Sequence, residues 1–407
     1  MSHVDAPAPQ RRRGSSFWTV AYAYLIVTAT ATLPSPLYGL YRTRDDLSAF
    51  TITIVFAIFA AGSISALLAV SSVVARIGRR GTMLTATATM IASMALLAIW
   101  KDLPGLLLGR LLTGVAVGLA AGTALPYLIE LSRRADPPIP LARARTIGTV
   151  ISIAALGVGP LLGGLLAQWV PWPLTVPYLL FIALGATGLG ALTTAPETGT
   201  PAAPAGEVPV GRLHRARLPI PVPAAAATLT AFAANGLFAG LSGLILASAL
   251  HRTSHALAGT TLFLVFAAGV TAQLATARLR ATGVLAAGTV SMLAGLVFLA
   301  TTVRLPAPSL ALFLISGALI GAGSGAMFKG ITALVLEASA PQDRVAVTAA
   351  LLISLYVGLS VPVIGVGIAL DRGAGEPDTI LVFATLTGLG VFAAGLALLV
   401  RRPRSAP

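Results

Sequence analysis

The stretch TIGTVISIAALGVGPLLGGLLAQWVPWPLTVPYLLFIALGATGLGALTTAP, residues 146–196, contains no lysine, arginine, aspartate or glutamate. About 20 apolar residues in a helix cross the hydrocarbon core of a bilayer, so this stretch is long enough for two spans. Its proline-rich middle, Gln168–Pro177, supplies the turn between them. The sequence therefore predicts a pair of transmembrane helices here.

Similar charge-free runs fill the rest of the 407-residue chain, and each is long enough for one span. They are Phe17–Tyr41, Leu47–Ala75, Gly81–Trp100, Leu111–Ile129, Leu218–Leu250, Ala256–Ala277, Ala281–Val303, Leu305–Phe328, Val345–Leu370 and Thr379–Val400. Only 10% of the residues are charged and the mean hydropathy is +0.90, whereas a soluble domain carries about 25% charged residues. We therefore predict an all-α integral membrane protein with twelve transmembrane helices.

The composition also argues against several other classes of protein. The chain has no cysteine and four scattered histidines, so we expect neither thiol chemistry nor a metal site. The net charge of +14 comes from short arginine clusters between apolar runs, which does not indicate a nucleic-acid-binding face. The apolar runs contain no paired carboxylates, Ser/His pair or phosphate-binding loop. We therefore expect no enzyme activity, no catalytic residues and no cofactor.

The arginine clusters predict the orientation in the membrane. If the amino terminus is cytoplasmic, nineteen lysines and arginines lie in cytoplasmic segments and six in external segments. The positive-inside rule then places both termini in the cytoplasm. The chain is rich in alanine, glycine and arginine and has only two lysines, which is typical of a bacterial source. We expect a multi-pass protein of the bacterial inner membrane.

The chain divides into two halves around its longest polar interruption. Residues 196–222 are rich in proline and alanine, which is typical of a flexible linker. We predict an N-terminal six-helix bundle with a short cytoplasmic arm over residues 1–195 and a cytoplasmic linker over 196–222. A C-terminal six-helix bundle with a short cytoplasmic tail is predicted over 223–407.

The two halves share a sequence pattern. An offset of 207 residues lays Gly114, Gly118, Glu130 and Ser132 of span 4 on Gly321, Gly325, Glu337 and Ser339 of span 10. A weaker match relates Pro160-x-x-Gly163 in span 5 to Pro362-x-x-Gly365 in span 11. Two pseudo-symmetric bundles with a binding site between them are typical of secondary transporters.

Several short motifs resemble those of the major facilitator superfamily. SSVVARIGRR, residues 71–80, resembles the signature G-x-x-x-D-R-x-G-R-R between spans 2 and 3, with Ala75 in place of the aspartate. GRLLTGVAVG at 109–118 resembles the span-4 motif of drug/proton antiporters, and GPLLGG at 159–164 resembles their span-5 motif. Weaker landmarks are LPSPLY at 33–38 and PET at 196–198. The resemblance covers all twelve spans and implies the efflux branch of the superfamily.

The resemblance implies a cytoplasmic gate at the loop between spans 2 and 3. The loop residues are Arg76, Gly78, Arg79 and Arg80, and the implied partners are Glu130, Arg133, Glu337 and Arg344. Arginine suits this role because its planar fork binds a carboxylate through two hydrogen bonds. Alternatively, the loop arginines only obey the positive-inside rule. Because Ala75 replaces the usual aspartate, we expect a weaker gate or one that relies on Glu130.

The glycine-rich motif of span 5 is expected to seal the external side. Membrane helices lack a hydrophobic force between them, so small residues let backbones approach closely. Gly157, Gly159, Gly163 and Gly164 are expected to make one side of span 5 nearly flat, and Pro160 permits a bend. In the superfamily this helix packs across the interface between the bundles. The alternative is packing of a kind found in any membrane bundle.

Few polar side chains lie inside the predicted spans. Arg110 in span 4 is either a cavity or coupling residue or a cation that extends to the outer interface. Lys329, near the inner end of span 10, has the same two interpretations. Asn235 and Gln273 are candidates for hydrogen bonds in the cavity or between helices. Tyr24 is a candidate for lining an apolar pocket or for packing alone.

The distribution of charge favours one class of solute. No aspartate or glutamate lies deep in a predicted span, although carriers of cationic drugs commonly need one there. We therefore expect proton-coupled efflux of small neutral or anionic amphiphilic compounds, carried out by a monomer in the bilayer. The alternative is a proton-linked importer of a small organic nutrient, and a membrane enzyme is the least favoured. The residue that carries the proton and the identity of the solute stay open.

Overall fold

The computed structural model describes residues 13–198, 220–340 and 343–400. Within them it has twelve α-helices and one 3-10 turn, Ser35–Leu37, between the first two helices. The helices are α1 Arg13–Ala29, α2 Tyr38–Asp45, α3 Ala49–Ile99, α4 Leu103–Arg134, α5 Leu141–Trp169, α6 Val176–Leu192, α7 Val222–Ser248, α8 His255–Ala275, α9 Ala281–Arg304, α10 Leu310–Glu337, α11 Arg344–Asp371 and α12 Glu376–Val400. Most of the predicted linker, the N-terminal arm and the C-terminal tail lie outside the described residues.

These helices account for twelve membrane spans. Nine of the described helices, α3 to α5 and α7 to α12, are long and apolar enough to cross a membrane. The helix α3 covers two of the spans, because its direction changes at Gly78, where φ is 74° and ψ is 177°. The first span comprises α1, the 3-10 turn and α2 together, and α6 is the sixth. The predicted all-α fold with twelve spans is therefore confirmed.

The first span is interrupted near its middle. The stretch TLPSPLY from Thr32 to Tyr38 contains two prolines, which cannot donate backbone hydrogen bonds and so break a helix. The regular helix ends at Ala29, and the chain continues through turns into α2. Backbone carbonyls in this break lack the usual helical partners. The carbonyl of Ala31 accepts a hydrogen bond from Arg110 of α4 instead.

The two halves of the chain pack in the same way. A Cβ atom at Gly118 of α4 would lie 2.5 Å from the Ser63 carbonyl oxygen, in the part of α3 before Gly78. A Cβ atom at Gly325 of α10 would lie 2.6 Å from the Gly269 carbonyl oxygen of α8. Glycine therefore allows backbone contact at positions that the 207-residue offset relates. The helices α1–α6 and α7–α12 form two pseudo-symmetric six-helix bundles.

Aromatic side chains fill the bundle interiors, and aliphatic side chains cover the outside. Tyr127, Tyr178 and Phe181 are fully buried in the first half, as are Phe238 and Phe313 in the second. Large aliphatic residues that are more than half exposed include Val290 and Val297 on α9 and Leu386 and Leu389 on α12. An exposed apolar surface of this kind suits a protein whose solvent is lipid.

Candidate functional site

The two halves meet at one end of the bundle, opposite the end where the arginine clusters lie. We call the end with Arg79, Arg134 and Arg278 the arginine-rich end. At the opposite end, α5 packs against α8 and the start of α3 packs against α11. We call this pair of contacts the seal.

Glycines bring α5 and α8 into backbone contact in the seal. A Cβ atom at Gly164 would overlap the carbonyl oxygen of His255 and would lie 3.1 Å from the Cα atom of Gly259. A Cβ atom at Gly259 would in turn overlap the carbonyl oxygen of Pro160. The motif of span 5 therefore packs across the interface between the two halves.

The other glycines of this motif face a different helix, which corrects the expectation of a single flat side. A Cβ atom at Gly163 would lie 2.7 Å from the Leu33 carbonyl oxygen, and one at Gly159 would overlap that of Ala29. Both contacts lie in the break of the first span, within the same half. The motif contacts neighbours on two faces of α5. Gly159 and Gly163 are one turn apart and lie on one face, whereas Gly164 is rotated by about 100° from Gly163.

Polar bonds reinforce the seal. The side-chain oxygen of Gln168 on α5 accepts hydrogen bonds from the Ser254 hydroxyl at 3.1 Å and the His255 N–H at 3.0 Å. The carboxylate of Asp371 on α11 accepts a hydrogen bond from the N–H of Phe50 on α3 at 3.2 Å. These bonds join the first half to the second at the end opposite the arginines.

The arginine-rich end lacks bonds like those of the seal among the described residues. No hydrogen bond or ion pair recorded for these residues joins the two halves there. A surface groove of about 410 Å³ lies along this part of α3 and is lined by residues of α3 alone, which are Ser65, Leu68, Ala69, Ser72, Val73 and Arg76. The same helix that contacts α11 at its start is thus accessible toward its other end. The recorded hydrogen bonds between the halves at a helix end therefore lie opposite the arginines.

The loop at Gly78 is built around the carboxylate of Glu197. The N–H groups of Arg79 and Arg80 each donate to one of its oxygens at 3.0 Å. A carboxylate at the start of a helix is favourable because the first N–H groups have no partners within the helix. The φ of 74° and the lack of a Cβ atom at Gly78 let the carboxylate approach the turn.

The end of α4 completes this cluster within the first half. The Arg79 guanidinium forms an ion pair with Glu130 at 2.8 Å, and the other oxygen of Glu130 accepts a hydrogen bond from the Thr198 hydroxyl at 2.5 Å. Arg80 donates to the carbonyl of Thr193. Arg134 donates to the Glu197 carbonyl at 3.2 Å. The loop is therefore tied to the segment after α6.

The other implied partners do not take part in this conformation. Arg76 and Arg133 are exposed, and neither has an ion pair recorded in the described ranges. The same ranges record no ion pair for Glu337 or Arg344 on the second half. The recorded bonds of the loop thus involve Glu130 among the four implied partners and stay within the first half.

Arg110 is enclosed within the first half and does not extend to the membrane surface. Its side chain is fully buried, and its Nη1 atom donates to the Ala31 carbonyl at 2.7 Å. The guanidinium carbon lies 4.7 Å from the ring centroid of Phe59 and 6.0 Å from that of Phe56. Nitrogen atoms Nε and Nη2 find no hydrogen-bond partner among the described residues. The interpretation as a surface-seeking cation does not fit these contacts.

The polar residues of the second half bond to neighbouring helices. Asn235 of α7 donates to the Ser324 hydroxyl of α10 at 2.7 Å, and its amide oxygen has no partner among the described residues. Gln273 of α8 donates to the Gly325 carbonyl at 3.2 Å. The ammonium group of Lys329 donates to the Gln273 carbonyl at 2.7 Å. Lys329 therefore binds a helix carbonyl and does not point freely toward the interface.

Tyr24 connects two helices of the first half. Its hydroxyl lies 2.5 Å from the Ser152 hydroxyl of α5, and the residue is buried. In this conformation Tyr24 packs between α1 and α5.

Sequence reasoning missed two acidic residues. Glu197 was visible only as part of a weak landmark, Pro-Glu-Thr after the sixth span, and Asp371 as a charge between spans 11 and 12. The signal that could have found Glu197 was the missing aspartate at Ala75, because a loop with three arginines and no acid of its own needs one from elsewhere.

Comparisons with known proteins agree with this architecture. The sequence profile of the Major Facilitator Superfamily matches residues 20–280. An aspartate-to-alanine mutant of the nucleoside transporter NupG superposes with a TM-score of 0.72 and 11% identity, covering 95% of this chain and 99% of that chain. A second NupG structure gives a TM-score of 0.66 and 12% identity, covering 96% and 100%. No curated protein sequence matches the chain.

The profile match covers well over half of the chain, and the solved structures share its fold from end to end. A multi-pass membrane protein of this family is a transporter and not an enzyme. The chain belongs to the Major Facilitator Superfamily.

Proposed function

We propose that the protein is a secondary active transporter that moves a small neutral or anionic organic solute by alternating access. The observation that carries the proposal is the seal, which joins the two halves at one end, while no hydrogen bond or ion pair of the described residues joins them at the other. Two bundles that meet at only one end can exchange this contact for one at the other end, and a solute site between them then faces each side in turn.

The sidedness of this state follows from the arginine clusters. We take the arginine-rich end as cytoplasmic because of the positive-inside rule. Both termini then lie in the cytoplasm, and we propose that the structure corresponds to a state that faces the cytoplasm. We propose a monomer as the working unit, because a single chain supplies both of the bundles between which a transporter binds its solute.

The charges in the interior of the protein favour a neutral or anionic solute. In the described part of the chain, acidic residues lie at the ends of the helices, whereas Arg110 is fully buried. A buried cation disfavours binding of cations and favours neutral or anionic groups. The bacterial inner membrane and an inward proton gradient as the energy source remain part of this proposal.

The direction of transport has two candidates. The likeness to a nucleoside transporter supports proton-linked uptake of a small organic nutrient. The span-5 motif Gly159-Pro160-x-x-Gly163-Gly164 supports efflux, but its contacts are divided. Gly159 and Gly163 contact the first span, whereas Gly164 and the Pro160 carbonyl contact α8. We therefore favour uptake and keep efflux of neutral or anionic amphiphiles as the second candidate.

Metabolite profiles of cells and medium test the function and its direction together. A strain without the gene is compared with the same strain complemented by the parent protein, at a matched level of membrane protein. Uptake predicts that the solute persists in the medium of the deletion strain, and efflux predicts that it accumulates inside the cells. Identical profiles in all growth media that support the strain would contradict the proposal.

A further inference from the structure

One edge of the Arg110 guanidinium has no hydrogen-bond partner. Nη1 is used by the Ala31 carbonyl, whereas Nε and Nη2 have no partner among the described residues, although the side chain is fully buried. The Nε–H group and one Nη2–H group point in parallel from the same edge of the planar guanidinium. This pair of donors binds the two oxygens of a carboxylate.

The surroundings of this edge lack a negative charge. The groups that interact electrostatically with the guanidinium are the hydroxyls of Tyr38 and Tyr178, and no carboxylate is among them. The Tyr38 hydroxyl is buried and also has no hydrogen-bond partner within the described ranges. A buried cation without a counterion is unfavourable. An anion that enters here would meet two free N–H donors of Arg110, and the Tyr38 hydroxyl, which interacts with the same guanidinium, is a further free donor.

The pseudo-symmetric position in the other half carries no charge. The 207-residue offset that relates span 4 to span 10 places Gly317 at the position of Arg110. A Cβ atom at Gly317 would lie 3.0 Å from the ring of Phe238, so an apolar ring occupies this space. The charge is thus specific to the first half and is not part of the repeated packing.

The rings that cover Arg110 contact the other half of the protein. Phe59 packs edge-to-face against Tyr356 of α11, with 5.9 Å between ring centroids. Phe56 faces Gly240 of α7, where a Cβ atom would lie 3.5 Å from its ring. Opening of the seal would remove both contacts. The free edge of Arg110 would then become reachable from the external side.

We propose that Arg110 and Tyr38 bind the carboxylate of a small monoanionic organic acid, whose apolar part lies against Phe56 and Phe59. A carboxylate fits better than a phosphate because a single cation balances one negative charge, and a dianion would leave a buried charge uncompensated. The proposal rests on the transport function proposed above and names its substrate class.

Ligand binding to the purified protein in lipid nanodiscs tests this proposal. The probes are benzoate, phenylacetate and hexanoate, each compared by calorimetric titration with its own primary amide, which has a similar shape and no charge. We expect at least one carboxylate to bind the parent protein about tenfold or more tightly than its amide, since charge-assisted hydrogen bonds are the strong ones.

Four variants assign the binding to the proposed atoms. Arg110→Met should abolish the preference for the carboxylate, and Arg110→Lys should retain part of it because the charge remains without the fork. Tyr38→Phe removes a single hydroxyl and should weaken carboxylate binding about threefold to tenfold. Lys329→Met, which removes the other cation of the spans, should leave carboxylate binding unchanged.

Two outcomes would overturn the proposal. One is that no carboxylate binds the parent more tightly than its amide, and the other is that folded Arg110→Lys and Tyr38→Phe proteins bind the carboxylate as the parent does. Spin-label distances across the seal, measured without ligand, keep the two proposals separate. If these distances show two states while no carboxylate binds, the result supports alternating access and contradicts the carboxylate site.

Discussion

The carboxylate of Asp371, the last residue of α11, caps the start of α3 by accepting a hydrogen bond from the Phe50 N–H at 3.2 Å. A negative charge at the end of its own helix is unfavourable, whereas the same charge near the start of another helix is favourable. Asp371 is therefore stabilised by the first half only while the seal is closed, and it links the charge of one half to the conformation of the whole protein.

Asp371→Asn should shift the protein toward a state in which the seal is open. Interactions of a carboxylate with a helix terminus contribute about 0.3–1 kcal/mol, so the population ratio should change about twofold to fivefold. The chain has no cysteine, so spin labels on Thr43→Cys and Ala374→Cys report the distance across this end without background labelling.

Asp378→Asn is the matched control for this prediction. Asp378 lies near the same end and pairs with Arg304 at 2.5 Å, but both residues belong to the second half. Its replacement should leave the distance distribution unchanged. Equal distributions for Asp371→Asn and the parent protein would show that the cap does not influence the seal.

Gly164→Ala should open the seal without unfolding the protein. The added methyl group would overlap the His255 carbonyl in the closed state, and α8 must then move away from α5. Overpacking of this kind costs about 1–3 kcal/mol, and it acts only on the state in which the two helices touch. The same spin-label pair, Thr43→Cys with Ala374→Cys, should show a longer distance.

Gly365→Ala provides the comparison for Gly164→Ala. Gly365 lies on α11 in the motif that matches Pro160-x-x-Gly163, yet no atom lies within 4 Å of a Cβ placed there. This variant should keep the distance distribution of the parent and its melting temperature. A Gly164→Ala protein that also behaves like the parent would mean that the seal tolerates a methyl group and is looser than the structure indicates.

Glu197→Gln should loosen the loop between the second and third spans. The neutral amide keeps one acceptor oxygen but loses the second acceptor and the charge that face the start of the helix, so a loss of about 1–2 kcal/mol is expected. Hydrogen exchange at the Arg79 and Arg80 amides should become faster, because Glu197 holds both of them.

Two further variants locate this effect. Gly78→Ala should loosen the same amides more strongly, since a side chain at a φ of 74° is strained and would overlap the Glu197 carboxylate. Gly190→Ala on α6 meets no atom within 4 Å and should change nothing. If hydrogen exchange at these amides is unchanged in both Glu197→Gln and Gly78→Ala, Glu197 does not stabilise the loop.

The fold could be predicted because its information is local. Each charge-free run identifies one span by length alone, and the glycines at positions 118 and 325 revealed the pseudo-symmetry through a simple offset. The division of α3 at Gly78 and the break after Ala29 also left local signs in glycine and proline.

The candidate site was harder to predict because its contacts are distant in sequence. Glu197 meets the loop across 118 residues, and Asp371 meets Phe50 across 321. Which neighbouring helix Gly159 and Gly164 each contact depends on how α5 is rotated about its axis. The pattern of small residues in the sequence does not determine this rotation. The sequence left Arg110 between a cavity or coupling residue and a cation that extends to the outer interface, since its burial depends on long-range packing and its free edge on the carbonyl of Ala31 in a broken helix.

The last prediction concerns Ala75, where the related signature has an aspartate. Ala75 is exposed on α3 at the arginine-rich end. The N-cap residue of α11 at that end is Asp343, whose side chain makes no cap hydrogen bond, and the first turn has no acidic residue. At the opposite end, Asp371 of α11 caps the start of α3. A carboxylate at position 75 would supply the cap hydrogen bond that Asp343 does not make when the arginine-rich ends approach.

Ala75→Asp should favour a state that is closed at the arginine-rich end. The gain expected from a carboxylate near a helix start is about 0.3–1 kcal/mol, which is again a twofold to fivefold change in population. Spin labels on Thr146→Cys and Ala277→Cys, which lie exposed on opposite halves at this end, should report a shorter distance. Ala75→Asn, with a similar shape and no charge, should produce a smaller change. If Ala75→Asp and Ala75→Asn give the same distances as the parent, the open arginine-rich end has a cause other than the missing carboxylate.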